Sequence, residues 1–256
     1  MTDMHTHTRI SADSDETMAA YIARANEIGV NTICITDHAD WNPFDTGWKY
    51  YDEVSYFADF EYASKNSDGV ELLAGVEFGE PHLYRSEFEK LCNSPFDFVI
   101  GSVHYTNSYP EWFFNVLIEC GVSAEDCYNS YWDSVLDCVS YGGFDCLGHI
   151  DIPKRYYKTL LYDESKIRVI YRRMLDNGII LEINTSSLRR GLDVAMPDRE
   201  LLDIYKREGG KFATIGSDAH RAEDLAAGNS EAEALLKEFG LTEVTFRNRV
   251  LKEVNK

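Results

Sequence analysis

SDETMAAYIARANEIGVNTICITDHAD, residues 14–40, carries two periodicities in succession. Met18, Tyr21, Ile22, Ala25 and Ile28 recur at helical spacing and stop at Gly29, a residue suited to a left-handed C-terminal cap. Residues 32–36 then form a short run that is apolar on both faces, as a strand covered on both sides must be, and Asp37 and His38 follow it. Residues 4–6 supply a β-rich segment upstream, so the region predicts strand, helix and parallel strand in order.

The same alternation continues outward. Further strands are expected at 71–78, 98–103, 144–148, 179–184 and 211–215, making seven, with helices near 52–66, 123–140, 163–177 and 197–208. Strands joined throughout by helical crossovers predict an α/β fold, and a (β/α) barrel of about seven strands fits better than an open sheet. A chain of 256 residues suits one barrel domain, so residues 1–256 are expected to form a single domain.

Twenty-five basic against 44 acidic residues give a net charge of −19, which repels polyphosphate backbones and argues against a nucleic-acid partner. No basic stretch followed by an apolar run opens the chain, and no apolar run approaches a membrane span, so a cytoplasmic protein with no membrane partner is expected. Six cysteines without a C-x-x-C spacing, mostly inside apolar stretches, are expected as reduced thiols. The sequence specifies no oligomeric state.

In a parallel barrel the C-terminal ends of the strands open onto one face. The residues expected there are His5 and His7, Asp37 and His38, Glu77, His104, His149, Asn184, and Asp218 with His220. Six of the seven histidines therefore fall at the same end of successive strands. A single histidine after a strand is commonly a hydrogen-bonded structural residue, but imidazoles and carboxylates converging on one barrel mouth are costly to desolvate unless metal ions join them. Residues two apart on a strand share a face, so His5 and His7 can grip one ion. Nitrogen and carboxylate donors without cysteine suit zinc, iron or manganese.

These residues resemble the polymerase and histidinol phosphatase (PHP) superfamily. Its motifs are matched in order by Asp3, His5 and His7, by Asp37 and His38, by Gly75 to Glu77, by Gly101 to His104, by Gly148 to Asp151, and by Ser217 to His220. The chain is most similar to stand-alone histidinol-phosphate phosphatases through Gly79 to His82, G-H-I-D-I-P-K and E-I-N-T-S-S-L-R. The resemblance implies the PHP fold, a distorted seven-stranded TIM-like barrel, carrying three divalent metal ions. It implies that His5, His7, Glu77 and Asp218 hold the first ion and that Glu77 bridges to a second held by His104 and His149. A third would be held by His38 and His220. Some relatives supply another histidine to the third ion from the loop after H-x-H; here Asp13 is the substitute, with a helix N-cap as its alternative role.

The implied activity is hydrolysis of a small phosphomonoester, L-histidinol phosphate in histidine biosynthesis, by attack of a metal-bridging hydroxide. Glu77, His104, Asp218 and Arg189 then form the catalytic set. Phosphate would be bound by Arg189 or Arg190, whose guanidinium forks match two oxygens, with Lys154 and Arg9 as further candidates. His82 is either a loop residue or a substrate contact, and Trp41 or Trp112 could border the substrate. A nucleotide, phosphotyrosine or another small phosphoester is the alternative substrate, and a non-catalytic metal-binding protein the alternative class. Glutamate rather than lysine at residue 77, and His220 two past the last aspartate, speak against an amidohydrolase.

Overall fold

The structure is a computed structural model and describes residues 1–254. β1 (Thr2–Thr6) leads by a loop into α1 (Met18–Ile28). The helix starts where Thr17 accepts a hydrogen bond from the Ala20 amide and ends at Gly29 with φ 74°, the left-handed region open to glycine. Met18, Tyr21, Ile22 and Ala25 form its buried face. β2 (Thr32–Ile35), the two-residue β3 (His38–Ala39), α2 (Glu53–Lys65), β4 (Glu71–Gly79), α3 (Arg85–Leu91) and β5 (Phe98–Ser102) follow. Then come α4 (Phe114–Glu119), α5 (Ala124–Tyr141), β6 (Cys146–Leu147), α6 (Lys154–Tyr157), α7 (Glu164–Asp176), β7 (Ile180–Asn184) and α8 (Ser186–Arg189). The chain continues through α9 (Arg199–Arg207), β8 (Phe212–Gly216), α10 (Asn229–Phe239), β9 (Thr242–Arg247) and β10 (Val250–Glu253).

The ladder runs β1-β2-β4-β5-β6-β7-β8-β9-β10, parallel except for the antiparallel β9–β10 hairpin, while β3 pairs alongside β4. Among the described residues no continuous β1–β8 pairing closes it; a single parallel bridge joins Thr6 to Ala219. The C-terminal ends of β1 and β8 are drawn together: Asp218 N donates to His5 O at 2.8 Å and His7 N to Ala219 O at 2.8 Å. At the other end β9 takes the free edge of β8, pairing Thr242 with Phe212 and Glu243 with Ala213. This is the distortion in an otherwise α/β barrel.

The seven expected strands are present, with ends moved by one or two residues. Three strands were not expected. β3 is too short to carry a period, and the β9–β10 turn is made by Asn248 and Arg249 at φ 50° and 62°, without the glycine that usually marks such a hairpin.

Two layers of core result. Helix faces pack on the outside of the sheet, with Tyr21, Tyr56, Trp132, Ile170 and Leu201 all buried. Inside, Met4, Cys34, Leu73, Phe98, Ile100, Cys146 and Ile180 pack against Val244 and Phe246 of the hairpin. The hairpin is tied to the N-terminal ends of the strands: Thr2 Oγ1 donates to Glu243 at 2.6 Å, and Asn248 N to Asp97 Oδ1 at 2.9 Å. One end of the barrel is thereby sealed with apolar groups, and the polar strand ends are left at the other.

Candidate metal centre

Glu77, on β4 and fully buried, is the hub of that polar end. Its Oε2 lies 3.1 Å from His5 Nε2, 3.5 Å from His7 Nε2 and 3.0 Å from His38 Nδ1. Its Oε1 lies 2.8 Å from His149 Nε2 and 3.4 Å from His104 Nε2, and accepts from Ser102 Oγ. Asp218 Oδ1 is 3.5 Å from His7 Nε2, and Asp13 Oδ2 is 3.0 Å from His220 Nε2 and 3.8 Å from His38 Nε2. The rings of His38 and His220 flank His7 at centroid distances of 4.1 and 4.2 Å. Among the described residues four overlapping trios have donor atoms mutually within 4.8 Å: His5, His7 and Asp218; His5, Glu77 and His149; His38, Glu77 and His104; His7, His38 and His220. His5 thus also sides with His149, and His38 reaches both Glu77 and His220, a denser overlap than three separate ligand sets. Two of the members, His149 at φ 23° and Asp218 at φ 55°, sit in backbone conformations that cost energy for residues with a Cβ.

The protonation pattern explains what this cluster fits. Burial opposes the charge on Glu77, but the imidazoles of His5 and His38 and hydrogen bonds from His104 and His149 overcome it, holding its carboxyl well below the usual range. Burial likewise opposes charge on Asp218, and the neighbouring imidazole of His7 and the charges of His5, His220 and Arg155 outweigh it. Burial disfavours the cation on His38, yet Glu77 and Asp13 raise it to about 10, and Glu182 and Glu77 raise His5 in the same way. His7 goes the other way: burial, then the charges on His38 and His220, push it well below the ordinary histidine value.

A neutral His7 must place one proton, and its neighbours decide where. Ser11 Oγ donates to Asp37 Oδ1 at 2.8 Å, so at 3.2 Å it accepts from His7 Nδ1. The Nε2 lone pair is then bare, buried and without a hydrogen-bond partner, facing the carboxylates of Glu77 and Asp218. A lone pair opposed to two carboxylates is repulsive unless a cation sits among them, and imidazole with carboxylate is the donor set of a transition-metal site. The residues therefore fit divalent ions.

The centre opens into a cavity of about 620 Å³, lined by His38, His104, His149, Asp218, His220 and Asp13 and by Asp40, Phe44, Asp45, Tyr105, Glu111, Phe113, Tyr156, Arg155 and Arg190. Asp13 is brought beside the third pair of histidines, and the N-cap alternative fails because Thr17 caps α1. Arg190 lines the cavity, with burial and the neighbouring Arg155 lowering its pKa.

Six sequence candidates are placed elsewhere. Arg9 is exposed and grips both oxygens of Asp59 at 2.9 and 2.7 Å. Lys154 is buried against Asp151 Oδ2 at 2.8 Å and the Ala195 carbonyl at 2.9 Å. Arg189, expected in the catalytic set, instead donates to the backbone carbonyls of Ser217 and Asp218 at 2.7 and 3.1 Å, bracing the turn that carries Asp218. His82 is buried in the loop after β4 and pushed down to about 4 by burial, outside the cavity lining. Trp41 and Trp112 do not line the cavity either; Glu111 and Phe113, on each side of Trp112, do.

Two residues were missed. Arg155 lies beside Lys154 on α6 with its Nη1 3.4 Å from Asp218 Oδ2. Glu182, on β7, holds His5 Nδ1 at 2.6 Å. The signal for Glu182 was its place two residues before Asn184, hence on the same strand face.

The PHP domain model matches residues 3–186. Over 98% of both chains, the sequence is 28% identical to a probable histidinol-phosphatase of Clostridium acetobutylicum. It is 29% identical to a histidinol-phosphatase of Lactococcus lactis over 94% of this chain and 92% of the relative. The crystal structure of a histidinol phosphate phosphatase from Lactococcus lactis, complexed with zinc, L-histidinol and phosphate, superposes with a TM-score of 0.81 at 26% identity, covering 98% of each chain.

Proposed function

The chain belongs to the PHP domain family, and on that premise we propose that it is a metal-dependent histidinol-phosphatase, converting L-histidinol phosphate and water to L-histidinol and phosphate. The observation that carries the reading is the buried Glu77 hub, ringed by imidazoles and opening into a cavity bordered by two guanidinium groups. The similarity to an enzyme captured with zinc, histidinol and phosphate supports the choice of substrate.

In this reading His5, His7, Glu77 and Asp218 would hold one ion, Glu77, His104 and His149 a second, and His38, His220 and Asp13 a third, each zinc, iron or manganese. Such ions, when bound, lower the pKa of water towards about 7 and neutralise charge on a phosphoryl group. The protein's own groups do the rest. The Asp37–Ser11 relay keeps the His7 proton on Nδ1 and so leaves Nε2 free as a donor to metal.

Arg155 and Arg190 repel one another across the cavity wall, and a phosphate dianion relieves that repulsion while its oxygens take the guanidinium hydrogen bonds. Asp40, Asp45 and Glu111 give the same cavity carboxylates for an ammonium group, with Phe44, Phe113 and Tyr156 as apolar cover for an imidazole ring. A substrate with phosphate at one end and cationic groups at the other matches that division, and it is compatible with a chain of net charge −19.

Phosphate release from histidinol phosphate, nucleoside monophosphates and phosphotyrosine by zinc- or manganese-loaded protein tests the substrate. Histidinol phosphate should lead in kcat/KM by roughly 100-fold or more. Equal or better turnover of another ester would overturn the substrate while leaving a phosphatase, and release from none would favour a metal-binding protein without catalysis.

A further inference from the structure

We infer that Glu182 is a positioning residue that fixes the tautomer of His5 and thereby the affinity of the first ion, a role which rests on the metal-centre reading proposed above. Glu182 is 1% exposed on β7 and surrounded by donors. Its Oε1 takes His5 Nδ1 at 2.6 Å; its Oε2 accepts from the His149 amide at 2.8 Å and from Asn184 Nδ2 at 3.1 Å. With Nδ1 engaged as a donor, His5 turns Nε2 towards Glu77 Oε2, 3.1 Å away. A buried carboxylate on the far nitrogen of a ligating histidine sets ring orientation and tautomer and raises ligand basicity.

The surrounding sequence makes room for this carboxylate. A Cβ on Gly216 would collide with Glu182 Oε1 and with His5 Cβ, so this glycine is the one the carboxylate requires; a Cβ on Gly148 would collide with Ser102 Oγ and Ile100 Cγ2 but stand at ordinary contact distance from Glu182 Oε2. Neither glycine is among the residues with positive φ, so close approach rather than backbone conformation is what requires glycine there. The carboxylate also joins two ligands at once, through the side chain of His5 and the backbone of His149.

Glu182→Gln separates this role from mere packing. Two donors point at Oε2 and one at Oε1, so the amide oxygen takes the Oε2 position and the amide NH2 faces His5 Nδ1. His5 must then accept at Nδ1 and carry its proton on Nε2, the atom aimed at the ion. The side chain keeps its volume, but the ligand lone pair is lost.

The test pairs zinc-competition titration against a chelator with nitrogen-15 NMR of histidine-labelled, zinc-loaded protein. Wild type should show a protonated Nδ1 and a metal-bound Nε2 on His5; Glu182→Gln should bind the weakened ion about 10- to 100-fold less tightly and move the His5 proton to Nε2. Wild-type affinity and an unchanged tautomer in a folded variant, with wild type itself binding zinc and releasing phosphate, would overturn the role of Glu182 alone. Wild type that bound no zinc would overturn the metal-centre reading and this inference with it. Should the variant fail to fold, the wild-type spectrum decides: a proton on His5 Nε2 contradicts the inference and one on Nδ1 supports it.

Discussion

Lys154 directs its ammonium at Asp151 and the Ala195 carbonyl, whereas the next residue, Arg155, reaches the cavity beside Asp218. One step along a helix turns a side chain by about 100°, and in a four-residue helix begun at Pro153 nothing in the sequence says which neighbour faces the mouth. The two should therefore fail differently. Arg155→Met is expected to lower kcat/KM by about 10²- to 10³-fold with zinc content and melting temperature preserved, the loss of a charged donor to a phosphoryl group. Lys154→Met leaves Asp151 buried beside an apolar chain and should cost about 3 kcal/mol of stability. Steady-state kinetics and denaturant titrations of both variants check this, and a fully active Arg155→Met would remove it from the phosphate site. At this scale the clustered histidines were legible because each lies at or just past the end of a strand. Glu182 was half legible: its spacing from Asn184 puts both on one face of the strand, but its partner His5 and the close approach of Gly216 are seen only in space.

At the scale of elements, the strand runs and the α1 boundaries could be read because burial on both faces and a glycine stop leave local marks. The β9–β10 hairpin leaves few: its alternation is short and its turn lacks glycine. Yet it seals the apolar end of the barrel, where Phe246 packs on Phe98 with ring centroids 5.1 Å apart. Phe246→Ala should reduce the unfolding free energy by about 3 kcal/mol through lost burial and a residual cavity. Because the proposed ligands stand at the opposite strand ends, zinc affinity of the folded variant should stay at the wild-type level. Denaturant titration with zinc titration reads both, and a large loss of zinc affinity in folded Phe246→Ala would mean that the two ends are coupled.

Across the whole molecule, a parallel sheet gathers polar strand ends at one mouth while an antiparallel hairpin closes the other, so residues more than 200 positions apart, such as His5 and Asp218, become neighbours. Among the described residues no helix is long and apolar enough to cross a membrane. The acidic total of −19 coexists with a mouth that holds Arg155, Arg190 and donors for divalent cations, so the local chemistry runs against the global charge. On the proposed reading this mouth hydrolyses phosphoesters only when divalent ions are bound. The most direct measurement is phosphate release from histidinol phosphate by protein stripped with a chelator, then reloaded with zinc or manganese. Activity should vanish on stripping and return on reloading; undiminished turnover by metal-free protein, or none by the reloaded protein, would contradict the account.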